Sequence, residues 1–155
     1  MTATETTPGP CARTRRDLSA PLTWPGLSPI DYELLRRFAS RLATPPDELH
    51  TDIFLGCDPF PNRLPAYANE TRMHHRLWSR RLDAAICYNN RWWLLEVKRE
   101  ANAHALGQAL AYYFWWCRDC PQHQVAEVSV LCESCSDDIA QIYAACGITP
   151  LTCPP

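Results

Sequence analysis

The clearest pattern in the chain is a pair of short apolar segments joined by a polar turn. Residues 82–88 and 92–98 are mostly apolar, and the turn between them begins with two asparagines, a residue type that tolerates left-handed backbone. Two such runs around a short turn predict an antiparallel β-hairpin. Apolar residues then recur at helical spacing behind Asn102, a favoured helix-capping residue, so we expect a helix that ends near Arg118.

The flanking segments carry further helix and strand signals. Ser28 precedes a proline and an acid, Asp31, and the apolar residues that follow recur at helical spacing, which predicts a helix that ends before Pro45 and Pro46. Later segments predict a strand over 51–57, a proline-rich loop over 58–65, a strand over 124–132, a short helix over 136–147 and an edge strand over 148–152. This order predicts an α/β domain with a mixed central β-sheet flanked by α-helices.

Length and composition fit one folded domain behind a polar arm. The chain has 155 residues, of which 46% are hydrophobic and 21% charged, as in an ordinary globular domain. Residues 1–27 are rich in proline without a hydrophobic period, so we expect a flexible or loosely docked arm and a single domain over 28–155. The longest apolar run, 109–117, is too short to cross a bilayer, and the N-terminus lacks an apolar signal core. We therefore expect a cytoplasmic protein with no membrane partner.

The predicted hairpin carries an unusual set of charged residues. Asp83 lies on its first strand, and Glu96 and Lys98 lie two apart on its second, so the latter two share one face. A tight hairpin brings Asp83 across from Glu96. Two adjacent carboxylates bind a hard cation such as Mg²⁺ or Mn²⁺, and a neighbouring lysine can orient water or stabilise charge at a phosphate. A cross-strand salt bridge on an exposed sheet face is the alternative explanation.

This set resembles the signature of the PD-(D/E)XK nuclease superfamily. Asp83, twelve further residues and then the triplet at 96–98 match its D…(D/E)-x-K pattern, with Leu82 in the place of the proline. Gln108 and Tyr112, four apart on one face of the next predicted helix, are similar to the Gln-x-x-x-Tyr motif of the RecB-like branch. The resemblance covers roughly residues 50–150 and implies a restriction-endonuclease-like core.

The resemblance also implies an activity, the metal-dependent hydrolysis of phosphodiester bonds in DNA. The residues to which it assigns roles are Asp83, Glu96 and the Val97 carbonyl as ligands of Mg²⁺ or Mn²⁺, Lys98 as the group that orients or activates water, Gln108 as support for Lys98 or the metal, and Tyr112 as a supporting residue. The superfamily often adds an acid from an earlier helix, for which Glu70 and Glu33 are the candidates.

A basic stretch precedes the hairpin in a chain whose net charge is only −2. Residues 71–81 contain no acid but include Arg72, Arg76, Arg80 and Arg81. Arginines beside a site can hold backbone phosphates, so the stretch predicts a contact with DNA, while RNA stays open as a substrate. The net charge excludes a uniformly basic nucleic-acid coat protein, and an ordinary solvated helix face is the alternative for this stretch.

Two cysteine pairs suggest a different function. The C-x₂-C pairs at 117–120 and 132–135 lie eleven residues apart, a pattern close to a zinc ribbon. The strand predicted between them spans about 27 Å at ~3.3 Å per residue, which would hold the pairs apart. A zinc-stabilised interaction domain and a non-catalytic nucleic-acid-binding module of the same fold therefore stay open beside a nuclease. A homodimer is also left open, because an exposed member of the tryptophan pairs 92–93 and 115–116 could form a dimer surface.

Overall fold

The fold is a single mixed sheet with helices on both faces. The computed structural model describes residues 27–56 and 80–155, together with the backbone of a two-residue strand at 14–15. The elements in chain order are β1 Thr14–Arg15, α1 Pro29–Ser40, β2 Glu48–Leu55, β3 Arg80–Tyr88, β4 Arg91–Glu100, α2 Ala103–Asp119, β5 Val125–Ser134, α3 Asp137–Ala145 and β6 Thr149–Thr152. The strands lie side by side in chain order, antiparallel from β1 to β4 and parallel from β4 to β6. The predicted α/β class with a mixed sheet flanked by helices is confirmed, and the arrangement is consistent with a restriction-endonuclease-like fold.

Two apolar cores hold the three layers together. One face of the sheet packs against α2 and α3, and its core includes Leu94 of β4, Trp116 of α2 and Tyr143 of α3. The opposite face packs against α1, with Leu35 of α1 and Leu95 of β4 among its buried residues. Successive residues of β4 thus point to opposite faces, as strand geometry requires, so charged residues on β4 near the helices are forced into partly buried surroundings.

The helix starts lie where the sequence predicts them. The Ser28 side chain accepts a hydrogen bond of 3.2 Å from the Asp31 N–H, and the Asn102 side chain accepts one of 3.0 Å from the Ala105 N–H. Both side chains satisfy an N–H group that a helix leaves without an internal partner. The first helix ends at Ser40, well before the proline pair that was expected to end it.

The buried face of α2 differs from the sequence expectation. The apolar residues that recur at helical spacing behind Asn102 include Leu110, Tyr113 and Phe114, and these three are exposed, whereas Tyr112 and Trp116 are buried. Apolar residues surround most of this helix, so hydrophobicity alone does not determine which side faces the sheet. The buried side follows the small residues at the start of the helix, and it turns Tyr112 towards the charged residues of β4.

The hairpin opens into a fork at its end. The ladder between β3 and β4 stops at Ala84 and Leu95, whereas β3 remains paired with β2 as far as Arg80 and β4 with β5 as far as Glu100. β3 therefore stays paired with β2, and β4 with β5, beyond the point at which β3 and β4 separate. We call the gap between residues 80–83 and 96–100 the fork.

A left-handed residue in β2 shapes the β3 side of the fork. Asp52 has a φ of 56°. Ile53, which follows it, packs on the α2 side of the sheet, whereas Leu49, four residues before Ile53, packs on the α1 side. Regular alternation would place these two residues on the same face. The opposite strand reverses in the same way at Asp83, with Leu82 on the α2 side and Ala84 on the α1 side. Because both strands reverse at this point, the Asp83 side chain is not held on the face that regular alternation along β3 would give it.

The structure describes only part of the N-terminal half, so it tests only some of the predictions made for that half. Of the predicted arm over 1–27, the structure describes Thr14–Arg15, which pair with β2 as a strand that the sequence did not predict, and residue 27. The strand expected at 51–57 is found at Glu48–Leu55, and the loop expected at 58–65 lies outside the described residues. Among the helices that the structure describes, none is long and apolar enough to cross a membrane.

Candidate active site

Glu96 is a buried carboxylate on β4 whose charge is poorly satisfied. It is 1% exposed, and Lys98 Nζ lies 2.6 Å from its Oε1. The side chains of Lys98 and Asp83 both act on the Glu96 carboxylate through hydrogen bonds, Lys98 lowering its pKa and Asp83 raising it. Burial, and then the negative charge of Asp83, raise the Glu96 pKa to about 8. A carboxylate in such surroundings favours protonation, or the approach of a further cation.

Asp83 faces the same space from the other side of the fork. Its Oδ2 accepts a hydrogen bond of 2.8 Å from the Val97 N–H and lies 3.8 Å from Lys98 Nζ. Burial raises the pKa of Asp83 and outweighs the opposing effects of Lys98 and the Val97 N–H. The predicted approach of Asp83 and Glu96 across the hairpin is therefore present in the fold.

Lys98 lies between the two carboxylates. Burial lowers its pKa, but the charges of Asp83 and Glu96 outweigh burial and leave the pKa raised above 10.5. Its side chain is 32% exposed, so the ammonium group reaches solvent at the mouth of the fork. Lys98 is also the single lysine among the 15 basic residues of the chain. This composition signal marks the position independently of any motif.

The helix α2 brings two further predicted residues to the site. Gln108 Nε2 donates a hydrogen bond of 3.2 Å to Tyr112 Oη, while the buried Gln108 Oε1 has no partner among the described residues. Burial, and then the charge of Glu96, raise the Tyr112 pKa to about 12, so its hydroxyl stays protonated. The charge interaction brings Tyr112 near Glu96, and Gln108 reaches the same neighbourhood through its hydrogen bond with Tyr112.

Asp31 is a residue near the site that sequence reasoning missed. It lies in the first turn of α1, and its negative charge raises the pKa values of both Asp83 and Lys98. In the sequence this acid looks like an ordinary helix-start residue. Glu33, one of the two acids proposed instead, forms an ion pair of 2.8 Å with Arg36, and the other, Glu70, lies outside the described residues.

The structure describes two of the four arginines that are predicted to bind phosphate. Arg72 and Arg76 lie outside the described residues. Arg80 and Arg81 are exposed at the start of β3, on one side of the fork, and Arg81 lies 3.2 Å from the Asp52 carboxylate.

The donor set of the fork fits a small divalent cation bound partly by water. Asp83 and Glu96 supply adjacent carboxylates, of which Glu96 is buried. The described residues hold no group of three or more His, Cys, Asp and Glu side chains suited to a metal. Two carboxylates with water are the arrangement that Mg²⁺ prefers, because this ion keeps several of its waters.

The cysteine pairs do not converge. Cys117 and Cys120 lie at the end of α2, before β5 begins, and Cys132 and Cys135 lie at the far end of β5. All four are within the described residues and are free thiols, yet no group of three or more metal-binding side chains is found there. A shared tetrahedral zinc site needs all four sulfurs around one ion, so these pairs do not form one.

The chain matches no protein-family model and no curated protein. Among solved structures, it is similar to the crystal structure of a repair endonuclease from Pyrococcus abyssi, with a TM-score of 0.42 and 18% sequence identity. The similarity covers 48% of this chain, which spans about a third (33%) of the length of that endonuclease.

Proposed function

We propose that this protein is a metal-dependent nuclease that hydrolyses phosphodiester bonds in DNA. The observation that carries the proposal is the buried Glu96 carboxylate, which lies beside a second carboxylate, Asp83, with the Lys98 ammonium group 2.6 Å away. This arrangement costs free energy, because burial and the charge of Asp83 both disfavour the ionised form of Glu96, and Lys98 offsets them only in part. A site that binds a cation during function accounts for that cost.

The proposed cofactor is Mg²⁺ or Mn²⁺, held by Asp83, Glu96 and the Val97 carbonyl. When bound, such an ion neutralises charge on a phosphate and lowers the pKa of a bound water. The raised pKa values of Asp83 and Glu96 support this role, because a cation offsets the mutual repulsion that raises the Glu96 pKa.

The residues of the chain have separable roles in this proposal. Lys98 keeps the two carboxylates together through its ion pairs, and its ammonium group orients the attacking water and stabilises negative charge that develops on the phosphate. Gln108 supports Lys98 or the metal from α2, and Tyr112 fixes the Gln108 amide. Arg80 and Arg81, with Arg72 and Arg76 earlier in the basic stretch, are proposed to hold backbone phosphates.

The proposal is tested by assaying cleavage of plasmid, linear duplex, single-stranded and branched DNA with Mg²⁺, with Mn²⁺ and with EDTA. The variants are Asp83→Asn, which keeps an acceptor for the Val97 N–H, and Lys98→Arg, which keeps a positive charge. The control is Arg91→Ala, at the other end of β4. We expect metal-dependent cleavage by the wild type and the control, and a loss of at least ~100-fold in both site variants.

Two results would contradict the proposal. Cleavage that persists in Asp83→Asn and Lys98→Arg would place the chemistry elsewhere. DNA binding without cleavage of any of these substrates would identify a non-catalytic binding module instead.

A further inference from the structure

A second charged cluster lies on the face of the sheet opposite to Lys98. Glu133 of β5 contacts Arg37 of α1, with 2.7 Å from Oε1 to Nη2, and Arg99 of β4, with 3.4 Å from Oε2 to Nε. Arg99 directly follows Lys98 but points to the α1 side, because successive residues of a strand alternate between faces. One carboxylate therefore holds two guanidinium groups that come from different elements.

This cluster has more positive charge than the carboxylate can neutralise. Each guanidinium has five N–H donors, and Glu133 takes one close contact from each of Arg37 and Arg99. The Arg37 Nε is buried without a partner in the described part of the chain, and the Arg99 side chain is 77% exposed. Arg41, which caps the end of α1, donates to the Cys153 sulfur and the Pro154 carbonyl. An acceptor-rich anion is the ligand that these unused donors fit.

We propose that the Arg37–Glu133–Arg99 cluster is a phosphate-binding site for the DNA backbone, separate from the site that binds the scissile phosphate. The inference rests on the proposed nuclease function and extends its substrate contacts to the α1 side of the sheet. The Cα atoms of Lys98 and Arg99 are about 3.8 Å apart, as in any trans peptide. Their side chains point to opposite faces of the sheet, so the phosphate proposed at Arg99 is one that the DNA strand presents after it passes the open end of the fork.

Glu133 acts in this site as a positioning residue. A free arginine side chain loses rotamer freedom when it binds a phosphate, and an ion pair that already fixes it reduces that loss. Arg37 is the more enclosed partner, at 18% exposure of its side chain, and Arg99 is the one that solvent reaches. Arg99 is therefore the residue to substitute, because its replacement leaves the packing of α1 unchanged.

The inference is tested by DNA binding in EDTA, so that binding is measured without cleavage. The probe is a short fluorescent DNA duplex, and its Kd is measured by anisotropy over a series of salt concentrations for the wild type, Arg99→Ala, Arg99→Lys and Arg91→Ala. Arg91 is the matched control, an exposed arginine at the opposite end of the same strand. We expect Arg99→Ala to raise Kd about threefold to tenfold and to reduce the salt slope by about one. Arg99→Lys should fall between Arg99→Ala and the wild type, and Arg91→Ala should match the wild type.

The outcomes separate this inference from the nuclease proposal. Equal Kd values and salt slopes for Arg99→Ala and Arg91→Ala would show that the cluster is an internal network of ion pairs that does not bind DNA. This result would overturn the inference even if the protein cleaves DNA. Binding that depends on Arg99, without cleavage under any condition, would support the inference and contradict the nuclease. A wild type that does not bind DNA would overturn both.

Discussion

The Asp83 carboxylate accepts a hydrogen bond of 2.8 Å from the Val97 N–H, across the point where their two strands have stopped pairing. The side chain of one strand thus takes the place of the ladder bond that its backbone no longer makes. Asp83 is therefore both a structural link across the fork and a proposed metal ligand. The two roles can be separated, because the hydrogen bond needs only an acceptor whereas a metal prefers a negative charge.

Replacement of Asp83 by asparagine and by alanine should separate these roles. Asp83→Asn keeps an acceptor for Val97 and removes a buried charge, so its free energy of unfolding in EDTA should equal or exceed that of the wild type. Asp83→Ala leaves the Val97 N–H without its partner and should be less stable than Asp83→Asn by about 1–3 kcal/mol. Urea unfolding measures both differences. Equal stability of the two variants would mean that the hydrogen bond does not hold the fork together.

Glu96 should make the metal-free protein less stable as pH rises. Burial raises its pKa from the ordinary 4.5 to about 8, so between these values the folded state holds a proton that the unfolded chain has lost. This contribution to stability is fully present below pH 4.5 and is lost as pH rises towards 8. The raised pKa of Asp83 acts in the same direction. We expect the loss in EDTA to exceed about 1 kcal/mol.

Glu96→Gln is the control for this pH dependence. Glutamine has no proton to lose, so urea unfolding of this variant in EDTA should show a flatter profile over the same pH interval. Mg²⁺ should stabilise the wild type more at the upper end of the interval, where the carboxylate is ionised, and should have little effect on the variant. The same slope in wild type and variant would show that Glu96 titrates normally.

The sequence predicts those parts of the fold and site that depend on local patterns. The asparagine turn at 89–90 and the apolar runs beside it define the hairpin, and the alternation along β4 gives Glu96 and Lys98 one face. The hairpin register directs Asp83 towards Glu96, one position beyond the last residues that pair, and the helical spacing of four places Gln108 beside Tyr112.

The features that the sequence does not predict depend on contacts between distant segments. The fork exists because β3 and β4 each keep their outer neighbours, and no local pattern encodes that competition. Asp31 looks like an ordinary helix-start acid until α1 packs beside the fork. The buried face of α2 is ambiguous because apolar residues such as Phe114 occupy its exposed side as well.

Lys98 should show a raised pKa that can be measured directly. Because it is the single lysine of the chain, a carbon-13 signal of its side chain can be assigned without ambiguity in an NMR titration. Asp83 and Glu96 hold its pKa above 10.5, and Glu96→Gln should lower the value by removing one of these charges. Saturating Mg²⁺ should lower it as well, because a cation competes for the same carboxylates. A pKa that changes in neither case would contradict the ion pairs as a functional unit.

Tyr112→Phe should affect turnover more than folding. The hydroxyl accepts the Gln108 amide at 3.2 Å, and its loss leaves both ends of that buried amide without partners. We expect the free energy of unfolding to fall by about 0.5–1.5 kcal/mol and kcat to fall by about tenfold, with KM unchanged. Phe114→Leu, on the exposed side of the same helix, is the control and should leave both quantities unchanged. A change in KM alone would assign Tyr112 to substrate binding.

Asp52 should tolerate glycine but not valine. Its φ of 56° lies in the left-handed region, which glycine adopts without cost and a β-branched residue adopts only with strain. Asp52→Gly loses an exposed contact with Arg81, worth at most about 1 kcal/mol, and gains backbone freedom at the angle that the strand requires. Asp52→Val should lower the free energy of unfolding by at least ~1–2 kcal/mol. Because β3 reverses opposite Asp52, the valine variant should also displace Asp83 from Val97 and lose cleavage, whereas the glycine variant should keep it. Urea unfolding and the cleavage assay test both effects, and equal behaviour of the two variants would show that the left-handed turn does not position Asp83.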